Sequence, residues 1–140
     1  MPKEISFILN CTPTPQARPR HAVMHGFSMT YKSAAQKENE ATLDALLAQH
    51  APVEPMEGAV ALTFMAYLPV PASASKKKQQ DMLNGVIRHT HKPDLDNLGK
   101  QLKDAMTRLQ FWRDDRQVVK LTCEKRYGMR GHWIVTIREL

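Results

Sequence analysis

The sequence predicts an α+β domain, a mixed or antiparallel sheet with helices packed on it. Three observations lead there: strand-like alternation at both ends of the chain, two stretches of helical apolar periodicity between them, and no internal repeat or second linker across residues 1–140. At 15.9 kDa the chain fits one ordinary domain, which buries roughly two-thirds of its unfolded surface and so can build a real core.

Glu4 to Asn10 places Ile5, Phe7 and Leu9 on one side of a first strand. The three prolines between Thr12 and Arg20 then require a loop. Ser33 with Gln36 reads as a capping box, and Ala35, Leu43, Leu46 and Leu47 carry a helical stripe to about Gln49, where Pro52, Pro55 and Gly58 stop it. Val60 to Tyr67 is apolar and β-rich, a well-buried strand. Ser75 can cap a short basic helix containing Lys76, Lys77 and Lys78, and residues 85–93 are irregular. Leu98, Leu102, Ala105, Met106 and Leu109 give a second helix over about Asn97 to Leu109. Gln117 to Arg126 and His132 to Arg138 are strands, with the glycines of Tyr127 to Gly131 turning one into the other.

No apolar run approaches a membrane span, and the first residues lack the apolar stretch of a secretory signal, which points to a soluble, cytoplasmic protein. Two cysteines, Cys11 and Cys123, do not indicate a disulfide framework. The six histidines have no cysteine or acid at zinc-finger spacing. The net charge of +6 is uneven: residues 1–70 carry 5 Lys and Arg against 6 acids, and residues 71–140 carry 15 against 8. A one-sided basic field suits a polyanion such as nucleic acid, because neutralised phosphates release condensed counterions; it also fits an ordinary solvated basic surface.

The chemically informative stretch is Lys92-Pro93-Asp94-Leu95-Asp96-Asn97-Leu98, followed one helix later by Phe111-Trp112-Arg113-Asp114-Asp115. In an extended segment after Pro93, the Asp94 and Asp96 carboxylates share a face, and the loop after a helix of about 20 Å can return a third carboxylate toward them. Converging carboxylates repel unless a cation sits between them, and hard oxygen ligands select Mg²⁺ or Mn²⁺. Extending the alternation of Val119, Leu121 and Cys123 backward assigns Asp115, not Asp114, to the inward side. Lys100 stands one helical turn after Asp96, where an ammonium could stabilise the negative charge of a pentacovalent phosphate. Each feature alone has a plainer reading: two acids near a helix start can merely cap it, and Asp96 with Lys100 can be a surface ion pair.

Taken together, Pro93-Asp94-Leu95-Asp96-Asn97-Leu98, Lys100, Asp104-Ala105, and Phe111-Trp112-x-Asp114-Asp115-x-Gln117-Val118-Val119 resemble the signature of the RusA family of Holliday-junction resolvases. Ser75-Lys76-Lys77-Lys78 and His89-Thr90-His91-Lys92 resemble phage and prophage members, and Arg18-Pro19-Arg20 resembles their early loop. The resemblance implies a Mg²⁺-dependent homodimer that nicks two strands symmetrically across a four-way junction in branched DNA. Asp94, Asp96 and Asp115 would be its metal ligands and Lys100 would be required for cleavage. Arg18, Arg20, Lys76, Lys77 and Lys78 are then candidate phosphate contacts. The connection from Pro69 to Lys92 is longer than in the shortest members. The rival classes are a DNA-binding module that does not cut and a metal-dependent hydrolase of small phosphate esters.

Overall fold

A computed structural model describes residues 3–15, 20–24, 27–31 and 34–140. In chain order the elements are β1 (Glu4–Leu9), β2 (Arg20–Met24), β3 (Phe27–Tyr31), α1 (Ala34–Ala48), β4 (Val60–Pro69), α2 (Lys76–Leu83), α3 (Leu95–Arg108), a 3-10 turn (Asp115–Gln117), β5 (Val118–Gly128) and β6 (His132–Glu139). The α+β expectation holds. Four strands form a mixed sheet in the order β1-β6-β4-β5, while β2 and β3 pair separately. This second pair has no counterpart in the sequence reading, and the expected Ser33 cap lies outside the described residues.

Helices α1 and α3 lie on one face of the sheet. Leu62, Phe64 and Ala66 of β4, Trp133, Val135 and Ile137 of β6, and Phe7 and Leu9 of β1 meet Leu43 and Leu47 of α1 and Leu98, Leu102, Ala105 and Met106 of α3 in one apolar core. The opposite face is more polar and more open. There Ser6 and Thr136 hydroxyls lie 2.6 Å apart across paired strands, and Ile8 is exposed. Period-two alternation with one face buried fixes the register, since a one-residue slip would exchange the two faces.

The expected β5–β6 turn is corrected by the topology. Both strands pair with β4, β5 in parallel and β6 antiparallel, so the segment from Met129 to Gly131 crosses over β4 instead of closing a hairpin. The cause is competition for burial. β4 is apolar along almost its whole length and takes the centre, whereas Lys120, Thr122, Glu124 and Arg126 make β5 tolerable only at an edge. The parallel β4–β5 pair needs a long crossover, and α2 and α3 supply it.

Candidate functional site

Helix α3 begins two residues earlier than its periodicity suggests. Asp94 is the N-cap, with φ −70° and ψ 144° and no side-chain capping bond, and its carbonyl accepts from Leu98 N at 3.1 Å. Asp96 therefore sits in the first turn of the helix, not in an extended strand beside Asp94. The extended reading fails because acids at the first positions of a helix complement the unpaired amides and the positive end of its dipole. Asp94, Asp96 and Lys100 are all exposed. The helix approaches the sheet closely at Gly99, where a Cβ would meet Phe64 Cε1 at 3.6 Å and Leu121 Cδ2 at 3.7 Å.

At the other end, α3 stops in a Schellman arrangement. Phe111 N donates to Met106 O at 3.0 Å and Gln110 N to Thr107 O at 3.1 Å, with Gln110 at φ 60°. This turn drives Phe111 and Trp112 into the core, where both are fully buried. Trp112 acts as a brace: its Nε1 donates to Thr107 Oγ1 at 2.8 Å. The chain emerges at Asp114, which caps the 3-10 turn through Oδ1, accepting from Arg116 N at 2.9 Å. That backbone bond, followed by the Arg116 guanidinium, holds the Asp114 carboxyl below its ordinary range.

Asp115 begins the 3-10 turn and is exposed. The alternation that turned it inward is broken by this turn, although Leu121 and Cys123 do face the helix-covered side. Gln117, a residue the sequence marked only as part of a pattern, ties the segment down. Its Oε1 accepts from Arg113 N (2.8 Å) and Asp114 N (2.9 Å), and its Nε2 donates to Met56 O (2.9 Å) and Gly58 O (3.0 Å).

The three aspartates predicted to share a cation therefore lie at two ends of one helix. Asp94 and Asp96 are at its start, and Asp115 lines a cleft with Asp104, Thr107, Arg108 and Asp114 at its finish. The 14 residues of α3 span about 21 Å at 1.5 Å per residue. Among the described residues no group of three His, Cys, Asp or Glu is placed to hold a metal ion. One chain does not assemble the expected cation site, and the loop after α3 does not bring Asp115 back to Asp94.

Basic groups stand along α2 and around a cleft that Lys125 ties to the Asp94 end. Lys76, Lys77 and Lys78 occupy the exposed first turn of α2, capped by Ser75 Oγ accepting from Lys78 N at 3.2 Å, as expected. The far end of α2 joins Arg88, His89, Lys125, Arg126 and Tyr127 around a cleft of about 190 Å³. Lys125 Nζ donates to the carbonyls of His91 (2.9 Å) and Pro93 (3.0 Å), fixing the approach to Asp94. Arg88, Lys125 and Arg126 escaped the sequence reading because no local run joins them. Burial, then the Lys125 charge, pushes the His89 imidazole below its ordinary value. Arg20 opens β2, and Arg18 lies outside the described residues.

The family model described as Endodeoxyribonuclease RusA matches residues 10–138. A Bacillus subtilis (strain 168) protein named "Uncharacterized protein YqaN" is 35% identical over 138 residues, covering 97% of this chain and 96% of its own length. A Lactococcus phage r1t protein named "Crossover junction endodeoxyribonuclease rusA" is 53% identical over 36 residues, 26% of this chain and 28% of its own.

Proposed function

The chain belongs to the RusA endodeoxyribonuclease family, and from that premise we propose that it resolves four-way junctions or other branched DNA by paired symmetric nicks, working as a homodimer. The observation that carries this reading is the Asp94 end of α3, where an acid-lysine turn stands beside a cationic cleft. Asp94 at the N-cap, Asp96 in the first turn and Lys100 one turn further on are all exposed, next to the groove lined by Arg88, Lys125 and Arg126. Exposed lysines and arginines grip backbone phosphates and position the duplex without reading its sequence.

Asp94, Asp96 and Asp115 are the proposed ligands of a divalent cation, Mg²⁺ with Mn²⁺ as substitute, which supplies an activated water for phosphodiester hydrolysis when bound. Lys100, one turn beyond Asp96, presents its ammonium to the charge that builds on the phosphate as the bond breaks. Lys76, Lys77 and Lys78, with Arg18 and Arg20, are proposed to hold the junction arms. No helix among the described residues is long and apolar enough to cross a membrane.

Incubating the protein with a labelled four-way junction, a linear duplex and free nucleotide, each with and without Mg²⁺, tests the reading. Paired nicks in the junction alone, dependent on Mg²⁺, are expected. Junction binding with no nicking would make it a binding module, and hydrolysis of the small ester alone would make it a phosphatase.

A further inference from the structure

A buried polar group without a hydrogen-bond partner costs stability, and folds keep few of them. Two such groups share one cavity in this chain. Gln101 on α3 is 5% exposed and Trp133 on β6 is 1% exposed, and neither Gln101 Oε1 nor Trp133 Nε1 has a hydrogen-bond partner at normal distance and angle. Both side chains line a cavity of about 230 Å³ between α1, α3, the chain after β1 and the start of β6. Leu43 completes its buried floor, while Thr12, Asn39 and Thr42 stand exposed at its rim. The parts are held in place. Trp133 packs against Phe64 with ring centroids 5.6 Å apart, and Gly131 lies so close to the rim that a Cβ there would come within 2.7 Å of Thr12 Cα.

The lining defines the chemistry of what fits. No Lys, Arg, His, Asp or Glu side chain lines the cavity, so it suits neither a phosphate nor a cation. Cys11, which also lines it, is not an anion: burial pushes the thiol up, and the Trp133 indole pulls it only partly back. A neutral thiol is a weak acceptor, which leaves the indole N–H able to donate elsewhere. The cavity thus offers one donor and one acceptor beside an apolar wall, and its size exceeds what one bridging water fills. A nucleobase edge presents the complementary acceptor and donor side by side. The location agrees. Gln101 follows Asp94 by seven residues, nearly two turns, and so lies on the same side of α3 about 10 Å further along. That distance is about three nucleotides of a stacked strand.

We infer that this cavity receives one nucleobase extruded from the junction near the cut bond, with Trp133 Nε1 donating to the base and Gln101 Oε1 accepting from it. This rests on the nuclease reading for the identity of the strand. Extrusion costs stacking and pairing, and costs least where pairing is already interrupted, as at a branch point. The two orphaned groups gain their missing bonds only when the base is in place. The cavity therefore favours branched DNA over a continuous duplex without any contact to the carboxylates.

Four-way junctions carrying one fluorescent base analogue, 2-aminopurine or pyrrolocytosine, at successive positions around the nicked bond test it. In EDTA, so that nothing is cut, the wild type should raise the fluorescence at one position on each nicked strand. Gln101→Leu, and Trp133→Phe, which keeps a ring and removes the N–H, should each weaken capture about tenfold, read as loss of that rise. Gln101→Leu should also melt no lower than wild type, because an apolar side chain replaces an unpaired acceptor. A wild type that binds the junction and raises no position would overturn the base pocket alone. So would a rise that survives unchanged in both variants, since it would report distortion of the junction itself. A Gln101→Leu protein that melts far lower would show the amide to be bonded within the fold and would equally overturn the pocket. A wild type that neither binds nor nicks the junction would overturn the nuclease reading together with the pocket.

Discussion

Replacing Gln117 by Ala removes four hydrogen bonds at once: the two that hold the amides of Arg113 and Asp114, and the two that reach the carbonyls of Met56 and Gly58. A net hydrogen bond contributes about 0.5–1.5 kcal/mol, and the low end applies to a half-buried side chain whose partners regain water, so the loss should be roughly 2–3 kcal/mol. For a chain of this size that corresponds to a fall in Tm of about 6–12 °C. Gln117→Glu divides the effect. It keeps the acceptor for Arg113 and Asp114 but turns a carboxylate toward two carbonyl oxygens, so it should lose at least half as much. Urea melts followed by tryptophan fluorescence give the stabilities, and single-turnover junction cleavage, at a temperature where both variants are folded, gives the function. Cleavage should fall in both variants because Asp115 rides on the turn that Gln117 anchors. A Gln117→Ala protein within about 0.5 kcal/mol of wild type would refute the hydrogen-bond reasoning. Full cleavage by a destabilised but folded variant would refute the link from Gln117 to Asp115.

Asp115→Asn should abolish Mg²⁺-dependent cleavage with little change in melting, whereas Asp114→Asn should lower stability and only impair cutting, because Asp114 caps the turn; differential scanning fluorimetry beside a cleavage assay separates them. Lys100→Ala should lower the single-turnover rate more than junction affinity, since a charge directed at the transition state acts on the barrier; an unaffected rate would return Lys100 to a surface ion-pair partner. Junction affinity should fall with salt by about 0.9 log unit per neutralised phosphate for each tenfold rise, and replacing Lys76, Lys77 and Lys78 with Ala should flatten that slope in a filter-binding titration. His89 is held below its ordinary value of 6.5 by burial and then by Lys125, so the fold favours its neutral form. Its contribution to stability is present above pH 6.5 and is lost as pH falls toward the folded value, because the unfolded chain takes up the proton first. Urea midpoints should drop more between pH 7.5 and pH 5 in wild type than in His89→Gln.

Local patterns in the sequence were sufficient for the identity of most elements and for the family. The alternation of β1 and β6, the apolar stripe of α3 and the Ser75 cap of α2 each depend on neighbours within a turn or two, and each appears in the structure where it was expected. The acids, Lys100 and the basic tract are equally local, and the family follows from them. Strand order was not legible, because which strand takes the centre is a contest for burial among segments far apart in the chain; β4 wins it and leaves β5 exposed along one edge. The placement of Asp115 was not legible either. Two local forces compete there, the alternation of β5 and the capping capacity of Asp114, and Gln117 decides between them only by reaching Met56 and Gly58 some sixty residues away. Sequence by itself thus determined which groups could do chemistry. Tertiary structure decided where they stand, because the 14 residues of α3 form a rigid rod that keeps its two acidic ends apart whatever their chemistry favours.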